Sequence, residues 1–410
     1  MASKPSPHVL IVGAGLSGLA AALEIEKQGG SCTIVEKEPE LGGRVKTDKE
    51  QGFLLDHAFQ VLLSSYTEVK RLKLLKSIGC LPFKSGARCV YKDKTFTLYN
   101  PFRHPFACIA SLTKIPARFY LDFCKLAKIL LLSSKDSSST QALLAKHSIS
   151  EDFQEAFLRP FFGGVFLDHA LGARSALFVK YLKLFISGLA TLPAEGMGAL
   201  PQELFKRLKK TDLLLQQQVI HIEEGGIQLK KGSYIHGDGV ILSVADPDLS
   251  SLLNIAFEFV SHSVYCFYFS VPQGFIDRTS LIQLRAEGPI SNLSVLNHIQ
   301  PSYAPAGYDL LSATVIKPSW KRREDLFSEV KKALCSCFSF SEDHLNFLRA
   351  YPIKHALPSQ KEPPPFEGHF FLPGFQRVVL AGEAVANPSI NEALLSGRAA
   401  AKALFPLLKG

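Results

Sequence analysis

The feature that most constrains this chain is a short glycine-rich turn near its beginning. The segment Gly13-Ala14-Gly15-Leu16-Ser17-Gly18 follows the β-branched run 8–12 and precedes an alanine-rich stretch, 19–28. In a strand–turn–helix unit of this kind, the first glycine permits a tight turn, the second lets a pyrophosphate approach the backbone, and the third lets the helix pack on the strand. We therefore predict a βαβ unit with a phosphate group at the N-terminus of its helix.

An acidic residue at the end of the next strand completes this unit. Glu36 follows the second β-branched run, 31–35. A carboxylate there accepts hydrogen bonds from both ribose hydroxyls and repels a 2′-phosphate, so the expected ligand is an adenosine dinucleotide without that phosphate. The alternative is a glycine-rich turn that binds no ligand, and the placement of Glu36 argues against it.

A second glycine pair favours FAD over NAD. Gly42-Gly43-Arg44 follows Glu36 closely, where the chain must turn near the pyrophosphate again and supply a cation. NAD dehydrogenases do not need this second approach. The sequence contains no further G-x-G-x-x-G that would bind NADPH, so we expect the substrate itself to reduce the flavin.

Beyond the first unit, helical and strand-rich segments follow one another. Apolar-periodic stretches between about 101 and 204 predict a helical insertion, interrupted at Pro105, Pro160 and Pro193. Short alternating segments separated by glycines predict a β-meander over 216–243. The buried run VVLAGEA and a closing helix, 388–408, bring the chain back to the first unit. Further strands are expected at 263–272, 281–285, 292–298 and 310–316.

Both ends of the chain resemble the flavin-containing amine oxidase superfamily, which includes phytoene desaturases and protoporphyrinogen oxidases. The matching segments are HVLIVGAGLSGLAAALEIEKQGGSCTIVEKEPELGGRVKT and VVLAGEAVANPSINEALLSGRAAAKAL. Between them, FLLDHAFQVL, GLATLPAEGMGALPQEL and GDGVILSVADP are similar to the family's flavin-side loop, its crossover between domains and its adenine-side strand pair. The general character is that of the phytoene-dehydrogenase-like branch.

This resemblance implies an α/β fold with two domains. A Rossmann-like FAD-binding domain, with three layers that include a parallel sheet and a β-meander, is expected over 1–65, 205–250 and 366–410. A second, α+β substrate-binding domain that contains the helical insertion is expected over 66–204 and 251–365.

The resemblance also assigns cofactor contacts to positions of this chain. The first turn would hold the pyrophosphate, Glu36 the ribose, and Gly43 and Arg44 the approach to the phosphate and the flavin. Val219 would face adenine through its backbone. The closing helix would place its positive end near flavin N1 and O2, where it stabilises the anion of the reduced flavin. The full predicted set is Gly13, Ala14, Gly15, Leu16, Ser17, Gly18, Glu36, Lys37, Gly42, Gly43, Arg44, Val219, Gly382 and Glu383 near the ribityl-pyrophosphate, and Ile390, Asn391 and Ala393 in the closing helix.

Three departures from the family pattern narrow the expected chemistry. Ala58 stands where relatives usually have a glycine in the flavin-side loop, so the backbone there is expected slightly farther from the flavin ring. The closing segment GEAVANPSINEALLSG lacks the aromatic residues that box an amine against the flavin, which argues against a simple amine substrate. It also lacks the cysteine that would attach flavin covalently, so we expect non-covalent FAD.

No side chain is assigned a catalytic role, and no metal site is expected. Hydride transfer to flavin N5 needs mainly alignment and desolvation. His57, Lys317 and His355 are candidates by family position alone, and a packing or surface role fits each of them better. Aromatic residues predict a strongly apolar substrate region, with ordinary core packing as an equal alternative. They are Phe161, Phe162, Phe166, Phe185, Tyr265, Phe267 and Phe269.

Charge and composition limit the partners. The net charge of +9 fits nucleic acid, an anionic membrane or an anionic substrate. No Lys/Arg run is interleaved with aromatics, so no nucleic-acid partner is expected. Scattered cysteines and the lack of an apolar signal segment predict a cytoplasmic protein. The apolar segment 115–133 carries Arg118, Lys125 and Lys128, as an interfacial helix would; a core-facing helix is favoured, but peripheral membrane contact stays open.

These observations predict an FAD-dependent oxidoreductase of the desaturase or oxidase type. A hydrophobic organic substrate would transfer hydride to flavin N5 and gain a C=C or C=N bond. Molecular oxygen or a quinone-like acceptor would reoxidise the flavin. Two alternatives stay open: an oxidase of a true amine, and a non-catalytic flavoprotein-like scaffold that binds a partner or a lipid.

Overall fold

The computed structural model describes residues 6–92, 94–132, 138–245, 248–254, 260–316, 323–364 and 368–409. The strands are β1 His8–Val12, β2 Ser31–Val35, β3 Thr47–Glu50, β4 Phe53–Asp56, β5 Leu62–Leu63, β6 Leu81–Pro82, β7 Gly86–Tyr91, β8 Lys94–Tyr99, β9 Ala190–Leu192, β10 Thr211–Leu214, β11 Val219–Glu223, β12 Gly226–Leu229, β13 Tyr234–His236, β14 Gly239–Leu242, β15 Ser261–Pro272, β16 Ile282–Arg285, β17 Asn292–Val295, β18 Tyr308–Ile316, β19 Asn346–Pro358, β20 Phe370–Phe371 and β21 Val378–Leu380. The α-helices are α1 Leu16–Lys27, α2 Thr67–Arg71, α3 Leu74–Ser77, α4 Pro105–Ser111, α5 Phe119–Leu132, α6 Thr140–Lys146, α7 Glu151–Phe153, α8 Arg159–Phe166, α9 Ser175–Ser187, α10 Ala199–Lys206, α11 Asp248–Leu253, α12 Arg323–Phe338 and α13 Ile390–Lys409.

A six-stranded sheet unites the two ends of the chain. Its order is β10-β2-β1-β14-β21-β20, and all neighbours are parallel except β20, which is antiparallel at one edge. The central strands are buried runs of apolar residues, as in parallel sheets that are covered on both faces. Helices α1 and α13 cover one face, and the antiparallel sheet β11-β12-β13 covers the other. The three layers predicted for a Rossmann-like domain are therefore confirmed.

The β-meander differs from the prediction in its last strand. The segment around Gly239 was expected to belong to it, but it forms β14 and pairs in parallel with β1 and β21. Residues Tyr234–His236 form the third strand of the meander instead. The physical reason is that all four residues of β14 are buried and apolar apart from glycine, a pattern that suits the middle of a parallel sheet rather than a half-exposed meander.

A second sheet of seven strands has the order β19-β15-β18-β17-β16-β7-β8. Its neighbours are antiparallel except for β16 and β7. The four strands predicted between 263 and 316 are present as β15 to β18 within three residues at either end. Helix α12 packs on one face, and the helices α5 to α9 pack on the other face over β7 and β16.

The helical insertion is present, but Pro160 does not break it. Helix α7 continues through a π-helical turn, Gln154–Leu158, into α8, where Pro160 lies in the first turn. A proline is tolerated there because the π-helical turn before it shifts the spacing of the backbone hydrogen bonds, so that the N–H group which proline lacks is not needed. Pro105 likewise begins α4.

Two segments near the expected domain boundaries pack with the first sheet. Val69 and Leu74 from α2 and α3, and Leu200 and Leu204 from α10, lie in the same apolar core as α1 and α13. The division into two domains remains a proposal, in which these segments connect the two sheets. Among the described residues, no helix combines the length and the apolar character that crossing a bilayer requires.

Candidate active site

The glycine-rich turn between β1 and α1 contains two different kinds of glycine position. Gly13 has φ of +102°, and a Cβ atom there would lie 2.6 Å from the carbonyl oxygen of Ser243. A Cβ atom on Gly18 would overlap the carbonyl oxygen of Gly13. At Gly15, just before α1 begins at Leu16, a Cβ atom would meet no atom of the described chain within 4 Å. The protein itself therefore requires Gly13 and Gly18, whereas Gly15 leaves room for a ligand.

Two buried hydroxyl groups beside this turn have unused hydrogen-bonding capacity. The Oγ atoms of Ser17 and Ser243 have no hydrogen-bond partner among the described residues. Ser17 lies in the first turn of α1, where backbone N–H groups form the positive end of the helix. Because a buried hydroxyl without a partner is costly, these groups fit a site that a polar ligand completes. The arrangement fits the pyrophosphate of FAD.

The carboxylate of Glu36 is buried next to the same turn. Its Oε2 accepts a hydrogen bond from the N–H of Ala14 at 2.8 Å, and its Oε1 accepts one from the N–H of Glu38 at 3.0 Å. These bonds hold the group while leaving lone pairs for ribose hydroxyls. The carbonyl oxygen of Glu36 also accepts from the N–H of Gln217 at 2.9 Å, so the chain that leads into Val219 passes beside it.

Lys37, which the sequence places in the cofactor set, extends toward a different element. Its Nζ lies 2.7 Å from the carboxylate of Asp248, the first residue of α11. The hydrogen bond to Asp248 raises the pKa of Lys37 above its ordinary value. The lysine is thus engaged in an exposed ion pair.

The Gly42-Gly43 pair brings the chain back to the glycine-rich turn. The N–H of Gly42 donates to the carbonyl oxygen of Ala14 at 2.9 Å. A Cβ atom on Gly43 would lie 3.4 Å from the Cα atom of Gly15. The two residues have φ of +118° and +60°, which glycine adopts without strain. The structure therefore contains the second close approach that the sequence predicts.

Arg44 forms an ion pair with Glu383, a contact that the sequence does not reveal. Its Nη2 lies 2.5 Å from Oε2 of Glu383, and its Nη1 donates to the carbonyl oxygen of Ala356 in β19 at 3.3 Å. The sequence assigns the two charged residues to separate parts of the cofactor. No spacing rule could have paired them, because they lie near opposite ends of the chain. The pair ties the Gly-Gly turn to the closing segment and to the second sheet.

The closing segment passes directly over Ser17. Gly382 has φ of +91°, and its N–H donates to Oγ of Ser396 at 2.8 Å. A Cβ atom on Gly382 would lie 3.7 Å from Oγ of Ser17. One on Gly397 would overlap the carbonyl oxygen of Ser17, so α13 crosses α1 in backbone contact. The two predicted cofactor segments are therefore neighbours.

The N-terminus of α13 is capped by its own residues. Oγ of Ser389 accepts a hydrogen bond from the N–H of Glu392 at 3.0 Å, and the Glu392 carboxylate lies 2.7 Å from Nζ of Lys180 in α9. A carboxylate in the first turn offsets the positive end of the helix. Lys180 in turn balances the charge of this carboxylate, and the placement of the flavin at this helix end stays a prediction. Our prediction overlooked Glu392, although S-x-x-E is a readable capping pattern.

The predicted residues of this helix face the protein. Oδ1 of Asn391 accepts from the N–H of Glu68 at 3.0 Å and so caps α2. Ile390 and Ala393 pack against the apolar core that contains α1. Asn391 is buried, whereas Ile390 and Ala393 are partly exposed, and their contact with a cofactor stays a prediction.

Ala58 in the flavin-side loop adopts a conformation that suits glycine. Its φ is +74°. A left-handed backbone of this kind costs an L-residue about 1–2 kcal/mol because Cβ crowds a carbonyl oxygen. The loop thus has the backbone form typical of a glycine position without having the glycine.

Asp56, two residues earlier, is fully buried and connects three elements. Its Oδ1 accepts from Oγ1 of Thr47 at 2.6 Å and from the N–H of Met197 at 2.8 Å. Its Oδ2 accepts from the hydroxyl of Tyr303 at 2.8 Å. Burial raises the pKa of Asp56 to about 6 although these hydrogen bonds oppose the shift. The group therefore titrates near neutral pH.

His57 belongs to a polar network rather than to a free catalytic position. Its Nε2 lies 3.0 Å from Oδ1 of Asp48, whose Oδ2 accepts from the Tyr351 hydroxyl at 2.7 Å. Burial alone would raise the pKa of Asp48, but the hydrogen bonds from Tyr351 and His57 hold it below its ordinary value. His355 contacts Oγ of Ser261 at 2.8 Å on the exposed side of the sheet. Lys317 lies outside the described residues.

A cavity of about 830 Å³ opens at one end of the seven-stranded sheet, between α8 and α12. Its polar lining includes Arg159, His169, Arg285 and Ser291, with Nε2 of His169 2.9 Å from Oγ of Ser291. Its volume is that of a typical small-molecule site. The apolar lining comes from Pro160, Ala170, Ala286, Pro289, Ile290, Val315, Ile316 and Leu326.

The cavity lies at the same end of this sheet as Arg44. Ile316 in its lining pairs with Val264 of β15, and Val264 pairs with Ile353 of β19. Ala356, which accepts the hydrogen bond from Arg44, follows in the same strand. The contact of Arg44 and the cavity thus lie at the same end of the strands, the first on β19 and the second on β16 to β18.

The aromatic residues expected to line a substrate site are divided between two cores. Phe162 and Phe166 are buried among the helices of the insertion. Phe267 and Phe269 are buried on the sheet face that packs against α12. The prediction of one aromatic lining is wrong for these four residues, since alternation along β15 turns its phenylalanines away from Tyr268 and Asp56. Phe161 and Phe185 meet at 4.9 Å at the edge of the helical core, and Tyr265 packs beside Phe267.

Comparison with known proteins identifies the family of this chain. The family model described as Flavin containing amine oxidoreductase matches residues 16–405. The chain belongs to this family. It is 22% identical over 376 residues to coproporphyrinogen III oxidase of Bacillus subtilis (strain 168), which covers 76% of this chain and 77% of that protein. It is also 47% identical over 58 residues to phytoene dehydrogenase of Streptomyces griseus, which covers 14% and 11% of the two proteins.

The fold comparison agrees with the family. The structure of an oxidoreductase from Methanosarcina mazei matches with a TM-score of 0.76 and 15% identity, over 96% of this chain and 99% of that chain. As a member of the flavin-containing family, this chain is an oxidoreductase, and its cofactor is FAD. The predicted family, fold class, enzyme class and cofactor are thereby confirmed. The closing segment contains no cysteine, as a non-covalent cofactor requires.

Proposed function

We propose that this flavoenzyme oxidises a largely apolar organic substrate, which would lose a hydride to flavin N5 and a proton to solvent and so gain a C=C or C=N bond. Molecular oxygen or a quinone-like compound would then accept the electrons. The observation that carries the proposal is the cavity, because it opens at the same end of the strands of the second sheet at which Arg44 contacts β19. A substrate there could reach a cofactor held by those turns.

In this proposal the chain's own residues bind and orient the cofactor. The turn around Gly15 and Ser17 would hold the pyrophosphate, and the fixed carboxylate of Glu36 would hold the ribose. The Arg44–Glu383 pair would position the chain next to the ribityl-pyrophosphate. Alignment and exclusion of water would be the main contributions of the protein, since no proton-transfer residue is assigned.

The composition of the cavity favours a substrate with an apolar skeleton and at least one polar substituent. Its wall combines apolar side chains with Arg159 and Arg285 and with two acids, Glu155 and Glu329. Glu155 pairs with Arg159 at 2.9 Å, so Arg285 is the cation that a substrate group would meet. Nε of Arg285 is buried and has no hydrogen-bond partner among the described residues, while its Nη1 contacts Sγ of Cys337 at 2.8 Å. A carboxylate of the substrate could accept the hydrogen bond that Nε of this guanidinium lacks.

A true amine is the second candidate substrate class, and the closing segment argues against it. Residues 382–398 contain no aromatic side chain that could box an amine. Tyr181 reaches the segment from α9, but its hydroxyl donates to the carbonyl oxygen of Pro388 at 3.3 Å. An aromatic ring engaged through its edge in this way is not a face presented to a substrate.

The decisive experiment is anaerobic reduction of the purified flavoprotein by a panel of porphyrinogens, polyenes and simple amines. We expect loss of flavin absorbance with a porphyrinogen or a polyene and none with simple amines. Readmission of oxygen, or addition of a quinone, identifies the acceptor by the rate at which colour returns. Bleaching by simple amines alone would overturn the proposal.

Two substitutions test the assigned residues separately. Glu36→Lys should abolish FAD retention, whereas Glu38→Lys, two positions along on the exposed surface, should not. Arg285→Ala should raise KM for a carboxylated substrate and leave KM for an uncharged polyene unchanged. If Arg285→Ala changes KM equally for both substrates, the guanidinium does not bind a polar substituent of the substrate.

A further inference from the structure

The first helices of the insertion carry an exposed apolar surface that the proposed function does not use. Among large apolar side chains of the described residues, the three with the highest exposed fractions are Phe106 at 86%, Leu131 at 84% and Phe102 at 82%. All three lie within 102–131. Exposed apolar residues that cluster in this way indicate an interaction site, whereas scattered ones need no explanation. We call this set the apolar surface: Phe102, Phe106, Ile109, Leu112, Leu121 and Leu131.

Helix α5 is apolar on both of its faces. Phe119, Leu126 and Ile129 pack inward against the helical core. Leu121 and Leu131 lie on the opposite face and are exposed. Apolar side chains of a helix normally face the core, but here two large ones face solvent.

The exposed faces of α4 and α5 belong to one continuous region. The hydroxyl of Tyr120, at the start of α5, donates to the carbonyl oxygen of Leu112 in the short 3-10 turn that follows α4. This bond holds the beginning of α5 against the end of the preceding turn. The side chains of Ile109, Leu112 and Leu121 are therefore presented by adjacent, mutually fixed elements.

The same region is strongly basic. Residues 101–132 contain five Lys or Arg and one acid, Asp122. Asp122 is buried and lies 3.5 Å from Nζ of Lys125, and Arg118 pairs with Asp152 of α7. Lys114 and Lys128 are exposed and form no ion pair with any described residue. The outer face combines large apolar side chains with uncompensated positive charge.

We propose that the apolar surface docks this protein peripherally on anionic lipid membranes. Phenylalanine and leucine side chains would enter the boundary between headgroups and acyl chains, and Lys114 and Lys128 would contact anionic headgroups. A second copy of the chain is the other occupant to consider. In a symmetric dimer the basic face would meet itself, and like charges would oppose the contact. Charge complementarity therefore favours the lipid surface.

The test uses the FAD-loaded full chain and sedimentation with lipid vesicles. Vesicles that contain phosphatidylserine in phosphatidylcholine should carry the protein down, and pure phosphatidylcholine vesicles should bind it much less. Added salt should weaken the binding, because screening shortens the range of the charge attraction. Equal binding to both vesicle types, or to neither, would overturn the proposal.

Variants then separate the apolar and the charged parts. Phe102→Ser together with Phe106→Ser should lower the partition coefficient at least about 10-fold. Lys114→Gln together with Lys128→Gln should lower binding to the anionic vesicles about 20-fold. The matched control, Ile220→Ser with Leu407→Ser, replaces exposed apolar residues outside the surface and should bind as the parent does.

Retained flavin absorbance and an unchanged thermal transition show that each variant is folded. If the variant with Phe102→Ser and Phe106→Ser binds vesicles as the parent does, the apolar surface does not contact the membrane. Light scattering measures whether the protein forms a dimer. A dimer of the parent that is lost in the variant with Phe102→Ser and Phe106→Ser would show that the apolar surface binds a second copy, and would refute the membrane proposal.

Discussion

Replacing Gly15 by alanine tests whether this glycine is required for the stability of the apoprotein or for the binding of FAD. The backbone at Gly15 has φ of −74° and ψ of 178°, which alanine also adopts, and the new Cβ atom would meet no described atom within 4 Å. Removing a glycine at a compatible site stabilises the folded state by about 0.4–1 kcal/mol. The weaker helix-capping preference of alanine offsets about the same amount. The free energy of unfolding of the apoprotein should therefore stay within about 0.5 kcal/mol of the parent.

FAD binding should respond very differently. If the pyrophosphate lies against this turn, the added methyl group displaces it from the backbone N–H groups at the start of α1. The loss of one or two charge-assisted hydrogen bonds, about 1.5–3 kcal/mol each, raises the Kd for FAD about 100-fold. The matched substitution Gly18→Ala should destabilise the apoprotein by about 3 kcal/mol, because its Cβ overlaps the carbonyl oxygen of Gly13.

Urea denaturation of the two apoproteins and a fluorescence titration with FAD measure both quantities. The expected pattern is a stable Gly15→Ala protein that binds FAD poorly and a destabilised Gly18→Ala protein. A Gly15→Ala protein with the parental Kd would show that the pyrophosphate lies elsewhere. A large loss of apoprotein stability in Gly15→Ala would show that the packing around the turn is described wrongly.

Three further substitutions test the loop and the second sheet. Ala58→Gly should stabilise the protein by about 0.5–1 kcal/mol in thermal or urea unfolding, because relief of the left-handed strain exceeds the gain in unfolded-state entropy; destabilisation would mean that the loop is unstrained. The raised pKa of Asp56 favours its protonated form in the folded state, so the stability it contributes is present at pH 4 and is lost as the pH rises through about 6. The stability of the parent relative to Asp56→Asn should accordingly fall by about 3 kcal/mol between pH 4 and pH 8, and a change of opposite sign would refute the assignment. Thr314→Val removes a buried Oγ1 that has no partner among the described residues, so unfolding should cost the same or up to about 1 kcal/mol more; a clear loss of stability would reveal a bound water or ligand on that hydroxyl.

The parts of the fold that sequence predicts well are those fixed by local pattern. The spacing of Gly13, Gly15 and Gly18 between an apolar run and an alanine-rich stretch indicates the β1–α1 turn, because each glycine has its own steric reason. Strands β15 to β18 are readable from apolar and alternating runs. In both cases the information lies within a dozen residues.

The parts that sequence does not predict depend on partners far along the chain. The Arg44–Glu383 pair and the bond from Ala14 to Glu36 exist only after the sheet has assembled. The aromatic residues mislead for the same reason: composition shows that the region is rich in phenylalanine, but only the register of β15 shows that Phe267 faces α12. The capping of α13 by Ser389 is readable in the sequence as an S-x-x-E pattern, because cap and helix start lie within four residues.

The meeting of both chain ends in one sheet has a consequence for how this protein is made. Strand β1 and its turn are synthesised well before β21, Gly382 and the crossing helix α13 that complete their surroundings. Until then the edge of β14 that β21 will occupy stays unpaired, and parallel pairing over such a separation is slow. Nascent chains therefore expose this apolar edge while the residues between β14 and β21 are made, which makes this half of the molecule a natural client for chaperones. Cofactor capture, which needs the surroundings of the turn, becomes a marker that the closing segment has been synthesised.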